Sequence, residues 1–241
     1  MKKILFGCFL AGLLAPAGNA SNIIWQTPQV ISGTSDVSTA GTYFGSWAPY
    51  GAGANLLPVN GVTFQANDLP GFTKPSWFDG GGGGGTYNGF GSPGTSDANY
   101  NTLLTTATFS SDGTGAYFTW GGMTPGHTYE IQLWAEDTRN IGNRRWENTY
   151  GDEGPGGQSA AIDFPADGTG LGHWVIGTFV ADATGQETIN FNTWSSSAGT
   201  QCAQVNLFQV RDLTAVPEPA TLALMAGGGM LCLCRFRRRS S

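Results

Sequence analysis

Few side chains in this chain are placed for chemistry. The two histidines are His127, in a Thr-Pro-Gly-His turn, and His173, just ahead of an apolar stretch. They form no His-x-x-x-His pair and no Cys/His cluster, so a zinc centre is not indicated. No Gly-x-Ser-x-Gly elbow is present, although a Ser-His-Asp set is a matter of space and not of chain order. Glu136-Asp137 and Asp152-Glu153 are local acid pairs. At a suitable separation two carboxylates do glycosidase work, and carboxylates also supply oxygen ligands to Ca²⁺. No Asp-x-Asp/Asn-x-Asp/Asn-Gly loop accompanies them, so the plain expectation is solvated acidic loops. No cofactor is implied, and calcium is the one cation these pairs would attract. Gly80 to Gly85 lacks the following Lys-Ser/Thr of a phosphate cradle and reads as a surface loop.

Aromatic residues carry more information. Trp47, Tyr50, Trp77, Phe78, Tyr87, Trp146 and Tyr150 lie outside the clearest alternating stretches. Sugar rings stack on exposed aromatic faces while nearby polar groups bond their hydroxyls. Trp47, Tyr50, Trp77, Phe78, Trp146 and Tyr150 are therefore the expected glycan contacts, the alternative being that they seal the ends of a β-fold. Trp25, Trp120, Trp134 and Trp174 are expected on sheet faces.

The most informative stretch is the tail. Val216-Pro217-Glu218-Pro219 is followed by an uncharged run, Ala220 to Cys234, and then by Arg235, Arg237, Arg238 and Arg239. Proline blocks helix propagation back across residue 217. An apolar helix satisfies its own backbone in lipid, and arginines hold its end on the cytoplasmic side. The run is shorter than the roughly 20 residues of a full span; arginine snorkelling and bilayer thinning cover the difference. The three parts in this order resemble the PEP-CTERM sorting signal of Gram-negative bacteria. That resemblance implies an exosortase as partner, removal of the tail, and delivery to the cell surface or exopolysaccharide matrix. Tails of this type are also labelled as the C-terminal domain of ice-binding proteins. The label describes the tail alone, and the body has no array of Thr-x-Thr units.

The front end agrees with the tail. Lys2-Lys3, the apolar Ile4 to Leu14 and Gly18-Asn19-Ala20 read as a signal peptide cleaved between Ala20 and Ser21. The expected division is 1–20 signal peptide, 21–214 folded body and 215–241 sorting signal with its membrane segment. The body holds 16 acidic and 5 basic residues, a net charge of about −11. Such a surface repels phosphate backbones, which argues against nucleic acid as a partner, and tolerates neutral glycans. Cys202 is the body's single cysteine, so the body has no internal disulfide and relies on its core.

The body is rich in Gly, Thr, Ser and Asn, which suits short strands joined by turns. Expected strands cover Ile23–Gln26, Ala116–Trp120, Tyr129–Glu136, Ala160–Phe164, Trp174–Val180, Thr188–Asn192 and Ala203–Val210, with Trp146–Tyr150 as a further candidate. Tyr129, Ile131, Leu133 and Ala135 share one face, and Ala116–Trp120 is expected to pair with that strand. Val59-Asn60-Gly61-Val62 signals a hairpin. Ser32 to Gly53 reads as loop, and Asn99 to Phe109 as the one helix.

The pattern predicts an all-β antiparallel sandwich with one short helix. The Thr124–His127 turn with its strand, and Val205–Val210 running into Arg211-Asp212, resemble galactose-binding-like jelly rolls of carbohydrate-binding modules. The functional expectation is an exported, non-catalytic sandwich protein, anchored through its tail until an exosortase processes it. It is then displayed at the surface or in the matrix, where it binds polysaccharide. The alternatives are a structural or adhesive matrix protein with no ligand site, and a secreted glycan-active enzyme.

Overall fold

The computed structural model describes residues 22–48, 57–64, 69–73, 84–88, 91–110, 116–138, 144–150, 159, 162–164, 171–193 and 204–214. The strands are β1 Ile24–Trp25, β2 Gln29–Val30, β3 Thr42–Trp47, β4 Leu57–Val59, β5 Val62–Phe64, β6 Gly84–Asn88, β7 Thr106–Ser110, β8 Ala116–Trp120, β9 Thr128–Ala135, β10 Arg144–Tyr150, β11 Ile162–Phe164, β12 His173–Val180, β13 Glu187–Thr193, β14 Gln204–Val205 and β15 Leu207–Asp212. Among the described residues the one α-helix, α1, covers Ala98–Leu104. The larger sheet runs β1-β12-β9-β15-β3, with β2 also on β12, and a second sheet runs β11-β10-β13-β8. A three-stranded sheet, β14-β7-β6, and the β4-β5 hairpin complete the set. All of these strand pairs are antiparallel.

The two larger sheets enclose the main core. From β9, Tyr129, Ile131, Leu133 and Ala135 enter it, on one face as their alternation predicts. They meet Val175, Phe179, Phe208 and Val210 of the same sheet, and Phe118, Trp120, Ile189 and Phe191 of the other. Phe118 stacks on Phe208 with ring centroids 4.3 Å apart and planes 10° from parallel. This β-sandwich-like arrangement is mostly antiparallel sheet with one helix.

The expected pairing of Ala116–Trp120 with the next strand is corrected. β8 pairs with β13, whereas β9 pairs with β12 and β15, so the intervening turn crosses between sheets. Two bonds commit it to that path, Gly121 N to the Pro70 carbonyl at 2.9 Å and Met123 N to the Gly185 carbonyl at 3.1 Å. Eight register pairs hold β9 to β12, from His173↔Ala135 to Val180↔Thr128. Alternation states which face is apolar but not which strand lies beside it.

A second core covers the opposite face of the larger sheet. It joins Trp134 and Leu207 to Ile31, Val37, Val59, Val62, Phe64 and the helix residues Tyr100, Leu103 and Leu104. Asp97 caps the helix by accepting Tyr100 N at 2.7 Å. The helix is shorter than expected: β-branched Thr106 and Thr108 continue as β7, flanked by β6 and β14. Gly84 and Gly85, expected as loop, belong to β6, and Thr42–Trp47, also expected as loop, is edge strand β3. β3 pairs with β15 through a register shift between Val210 and Arg211. The hairpin is as expected, with Asn60 at φ 50° and Gly61 at φ 74°.

The last expected strand, Ala203–Val210, is two strands in different sheets, broken at Asn206. Asn206 is fully buried. Its Nδ2 donates to the Leu104 carbonyl at 2.8 Å and the Glu136 carbonyl at 3.2 Å, while Oδ1 accepts Glu136 N at 2.8 Å and Gln204 Nε2 at 3.2 Å. One amide thus ties helix end, β9 end and strand crossing together, which a continuous strand would leave unpaired.

Gly177 marks where β1 lies on the sheet. A Cβ there would stand 2.5 Å from Ile23 Cγ2 and 2.7 Å from Trp25 Cε3. Gly177→Ala is predicted to destabilise the body by about 1–3 kcal/mol through overpacking, read as a lower urea midpoint with unchanged slope.

Candidate functional site

The outer face of the larger sheet carries polar side chains that most sheets would leave to water. Opposite one another on β9 and β15 stand Gln132 and Gln209, then Glu130 and Arg211. The segment 31–41 lies across them. Gln209 Nε2 donates to Gln132 Oε1 at 2.9 Å and to the Ser38 carbonyl at 3.0 Å. Gln132 Nε2 donates to the Asp36 carbonyl at 2.6 Å, and Ser38 N returns a bond to Gln132 Oε1 at 3.0 Å. Asp36 closes its own turn by accepting Ser32 N at 2.6 Å, Ser32 Oγ at 2.7 Å and Gly33 N at 3.0 Å. Tyr100, beside this carboxylate, is pushed well above its ordinary pKa by burial and by the Asp36 charge.

Arg211 extends the seam. Its Nε donates to the Ala40 carbonyl, and its Nη2 to those of Thr39 and Gly41, each at 3.2 Å. Nη1 makes no hydrogen bond among the described residues. Burial lowers the pKa of Arg211, against the opposing charge of Glu130. Burial likewise raises that of Glu130, against the Ser38 hydroxyl and the Arg211 charge. Beside this guanidinium is a concavity of about 430 Å³ lined by Thr39, Tyr43, Asn60, Gly61, Val62, Thr63 and Arg211. That volume suits a small ligand. Tyr43, 37% exposed, forms one wall. Its hydroxyl bonds Ser46 Oγ at 2.8 Å. Asn60 Nδ2 donates to the Val37 carbonyl at 2.8 Å, which holds the hairpin tip against the 31–41 segment, a strap over this face. The lining therefore offers an aromatic face, hydroxyls, an amide and one fixed cation.

At one end of the same sheet, where β9 begins and β15 finishes, His127 Nδ1 lies 2.8 Å from Asp212 Oδ2. Asp212 Oδ1 accepts Thr214 N at 2.8 Å, and Thr128 N donates to Thr214 Oγ1 at 2.8 Å. Burial would raise the Asp212 pKa, but the bonds from His127 and Thr214 outweigh it and hold it below the ordinary carboxylate value.

The structure revises part of the expected site. Trp47 is a correction: it is 3% exposed on β3 and stacks on Phe208 at 5.4 Å, so no sugar ring reaches its face. Trp146 and Tyr150 belong to β10, level with Ile162 and Asn190. Tyr50, Trp77 and Phe78 lie outside the described residues, as do Ala20, Ser21, Asp152, Glu153 and the tail residues Val216 to Pro219 and Arg235 to Arg239. Glu136 and Asp137 are not solvated acids: they are 0% and 1% exposed at the end of β9, where Asn206 and Gln204 bond the Glu136 backbone. Tyr43, Asn60, Thr39 and Arg211 did not stand out in sequence because three separate segments supply them. The usable signal was Arg211, a lone base closing an apolar strand.

Residues 215–239 match the PEP-CTERM protein-sorting motif. The PEP-CTERM motif implies processing by an exosortase and marks the chain for export to the cell surface. No curated protein and no solved structure matches the chain. Among the described residues, no helix is long and apolar enough to cross a membrane, and no three His, Cys, Asp or Glu side chains are grouped to hold a metal ion. The PEP-CTERM match begins one residue after Thr214, the last residue that the Asp212 cluster ties down.

The Asp212 pKa carries a sign. A depressed folded-state value contributes stability above the unfolded value of about 3.9, and that contribution is lost as pH falls through the folded value. Asp212→Asn is therefore predicted to lower the melting temperature at pH 6, with the difference from wild type shrinking below about pH 4.

Proposed function

We propose that this is an exported, non-catalytic β-sandwich protein, sorted by an exosortase and displayed at the cell surface or in the extracellular matrix, where it binds polysaccharide. The observation that carries the sorting half is the PEP-CTERM match at residues 215–239. In this reading residues 1–20 are a signal peptide cut between Ala20 and Ser21. The apolar run before Arg235 anchors the precursor until processing. The body is of the jelly-roll kind used by carbohydrate-binding modules.

The binding half is supported by the concavity at Tyr43 and Arg211. Its lining is hydroxyl- and amide-rich, with one aromatic wall, which suits a sugar residue. The body's net charge of about −11 favours neutral over anionic polymers. Tyr50, Trp77, Phe78, Trp146 and Tyr150 remain candidates for further contact along a chain. Carboxylate chemistry is not part of the proposal, since Glu136 and Asp137 are enclosed at the sheet end.

Two experiments test the halves separately. In cells with the sorting enzyme, Glu218→Ala or deletion of the terminal arginines is expected to leave an unprocessed precursor in the inner membrane; unchanged release contradicts the sorting reading. On an array of neutral polysaccharides the purified body is expected to bind, with Tyr43→Ala or Thr39→Trp weakening binding roughly tenfold, about 1.4 kcal/mol. Binding to no polysaccharide would favour a purely structural or adhesive protein.

A further inference from the structure

Both ends of the described body leave from one pole of the sandwich. Ile24 pairs with Thr178, which sets Asn22 level with Val180, and Val180 pairs with Thr128. Leu213 N donates to the Thr128 carbonyl at 2.8 Å. Across β1, β12, β9 and β15 the two ends are three strand spacings apart, roughly 15 Å. Two turns complete this pole. Thr124-Pro125-Gly126-His127 closes by His127 N to the Thr124 carbonyl at 3.1 Å, with Gly126 at φ 80°. Asp182-Ala183-Thr184-Gly185 closes by Gly185 N to the Asp182 carbonyl at 3.2 Å. Gly126 N to the Ala181 carbonyl at 2.8 Å and Met123 N to the Gly185 carbonyl at 3.1 Å lock the turns together.

Little chain separates this pole from the motif. Thr214 is held by Thr128 N and, through its own N–H, by Asp212, which is itself held by His127. Val216, the first residue of Val-Pro-Glu-Pro, follows two residues later, a reach of at most about 7 Å. A protein that reads this motif in its own cleft cannot keep a folded sandwich at arm's length over that distance. Either the pole seats against it, or the Thr214 clamp opens first.

We propose that the two-turn pole, Thr124–His127 with Asp182–Gly185, is the surface that the sorting enzyme meets, and that the clamp on Thr214 fixes the spacing between body and motif. This rests on exosortase processing of the tail and is independent of glycan binding. The pole suits close approach: Thr124, Pro125, Gly126, Ala183 and Thr184 are exposed and small, and the one carboxylate of the two turns, Asp182, is engaged within its own turn by Thr184 N, Thr184 Oγ1 and Gly185 N.

The test uses the full-length chain in cells that carry the sorting enzyme, following precursor and processed forms by immunoblot. The double variant Pro125→Arg/Ala183→Arg adds two long charged side chains to the pole and is expected to raise the precursor-to-product ratio about tenfold. A six-residue Gly-Ser insertion between Thr214 and Ala215, placed in that double variant, is expected to restore wild-type processing, because the enzyme then reaches the motif without touching the pole. Val30→Arg, an exposed position paired with His173 at the opposite end of β12, is expected to process as wild type. Normal processing of the double variant overturns the inference, and so does a defect that the insertion fails to relieve, including one caused by misfolding. If Glu218→Ala is also processed normally, the sorting reading itself fails; if Glu218→Ala blocks processing while the pole variants do not, only the present inference fails.

Discussion

The larger sheet is buried on both faces, and one of those faces is partly polar. The placement of segment 31–41 over that face depends on an amide ladder that satisfies most of its buried polar atoms. Gln132 and Gln209 bond each other and the backbone of residues 36 and 38. Without those bonds the strap 31–41 would cover buried, unpaired amides, at a cost of about 1–3 kcal/mol for each. With them, the strap becomes a fixed lid that positions Ile31 and Val37 over the second core. It also presents the three carbonyls that Arg211 holds. The concavity beside Tyr43 exists because the strap is fixed.

The two cores differ in character. Between the sheets, aromatic stacking carries the contact: Phe118 on Phe208, Phe208 on Trp47, and Phe72 against all three. Such pairs add roughly 0.5–1.5 kcal/mol each beyond the area they bury. Under the helix, directional bonds decide the geometry instead. Trp134 Nε1 donates to Tyr100 Oη at 2.7 Å, and Asn206 fixes the helix end to β9. A protein with no disulfide among its described strands thus combines one core held by ring contacts with another held by directional bonds.

Local pattern was readable from sequence, and partnership was not. The alternation of Tyr129 to Ala135 and the Asn60-Gly61 turn each follow from short-range chemistry. The neighbours of β8 do not, because adjacency in the chain suggests a hairpin and only the closed register of β12 on β9 rules it out. Glu136 reads as a solvated acid, and nothing in the sequence signals the burial of Gln132, Gln209 and Asn206 until a third layer is known to cover them. Trp47 was misread for the matching reason: its neighbours are polar and small, so its strand had no visible period. The concavity was hidden by distance, since residues 39–43, 60–63 and 211 meet only after the strap folds over.

The irregularity between Val210 and Arg211 sits where β15 meets β3, the outermost strand of its sheet. An extra residue in a rim pairing increases twist and spoils the flat hydrogen-bonding margin that another molecule would extend. The bulge therefore makes this rim a poor template for the addition of a further strand.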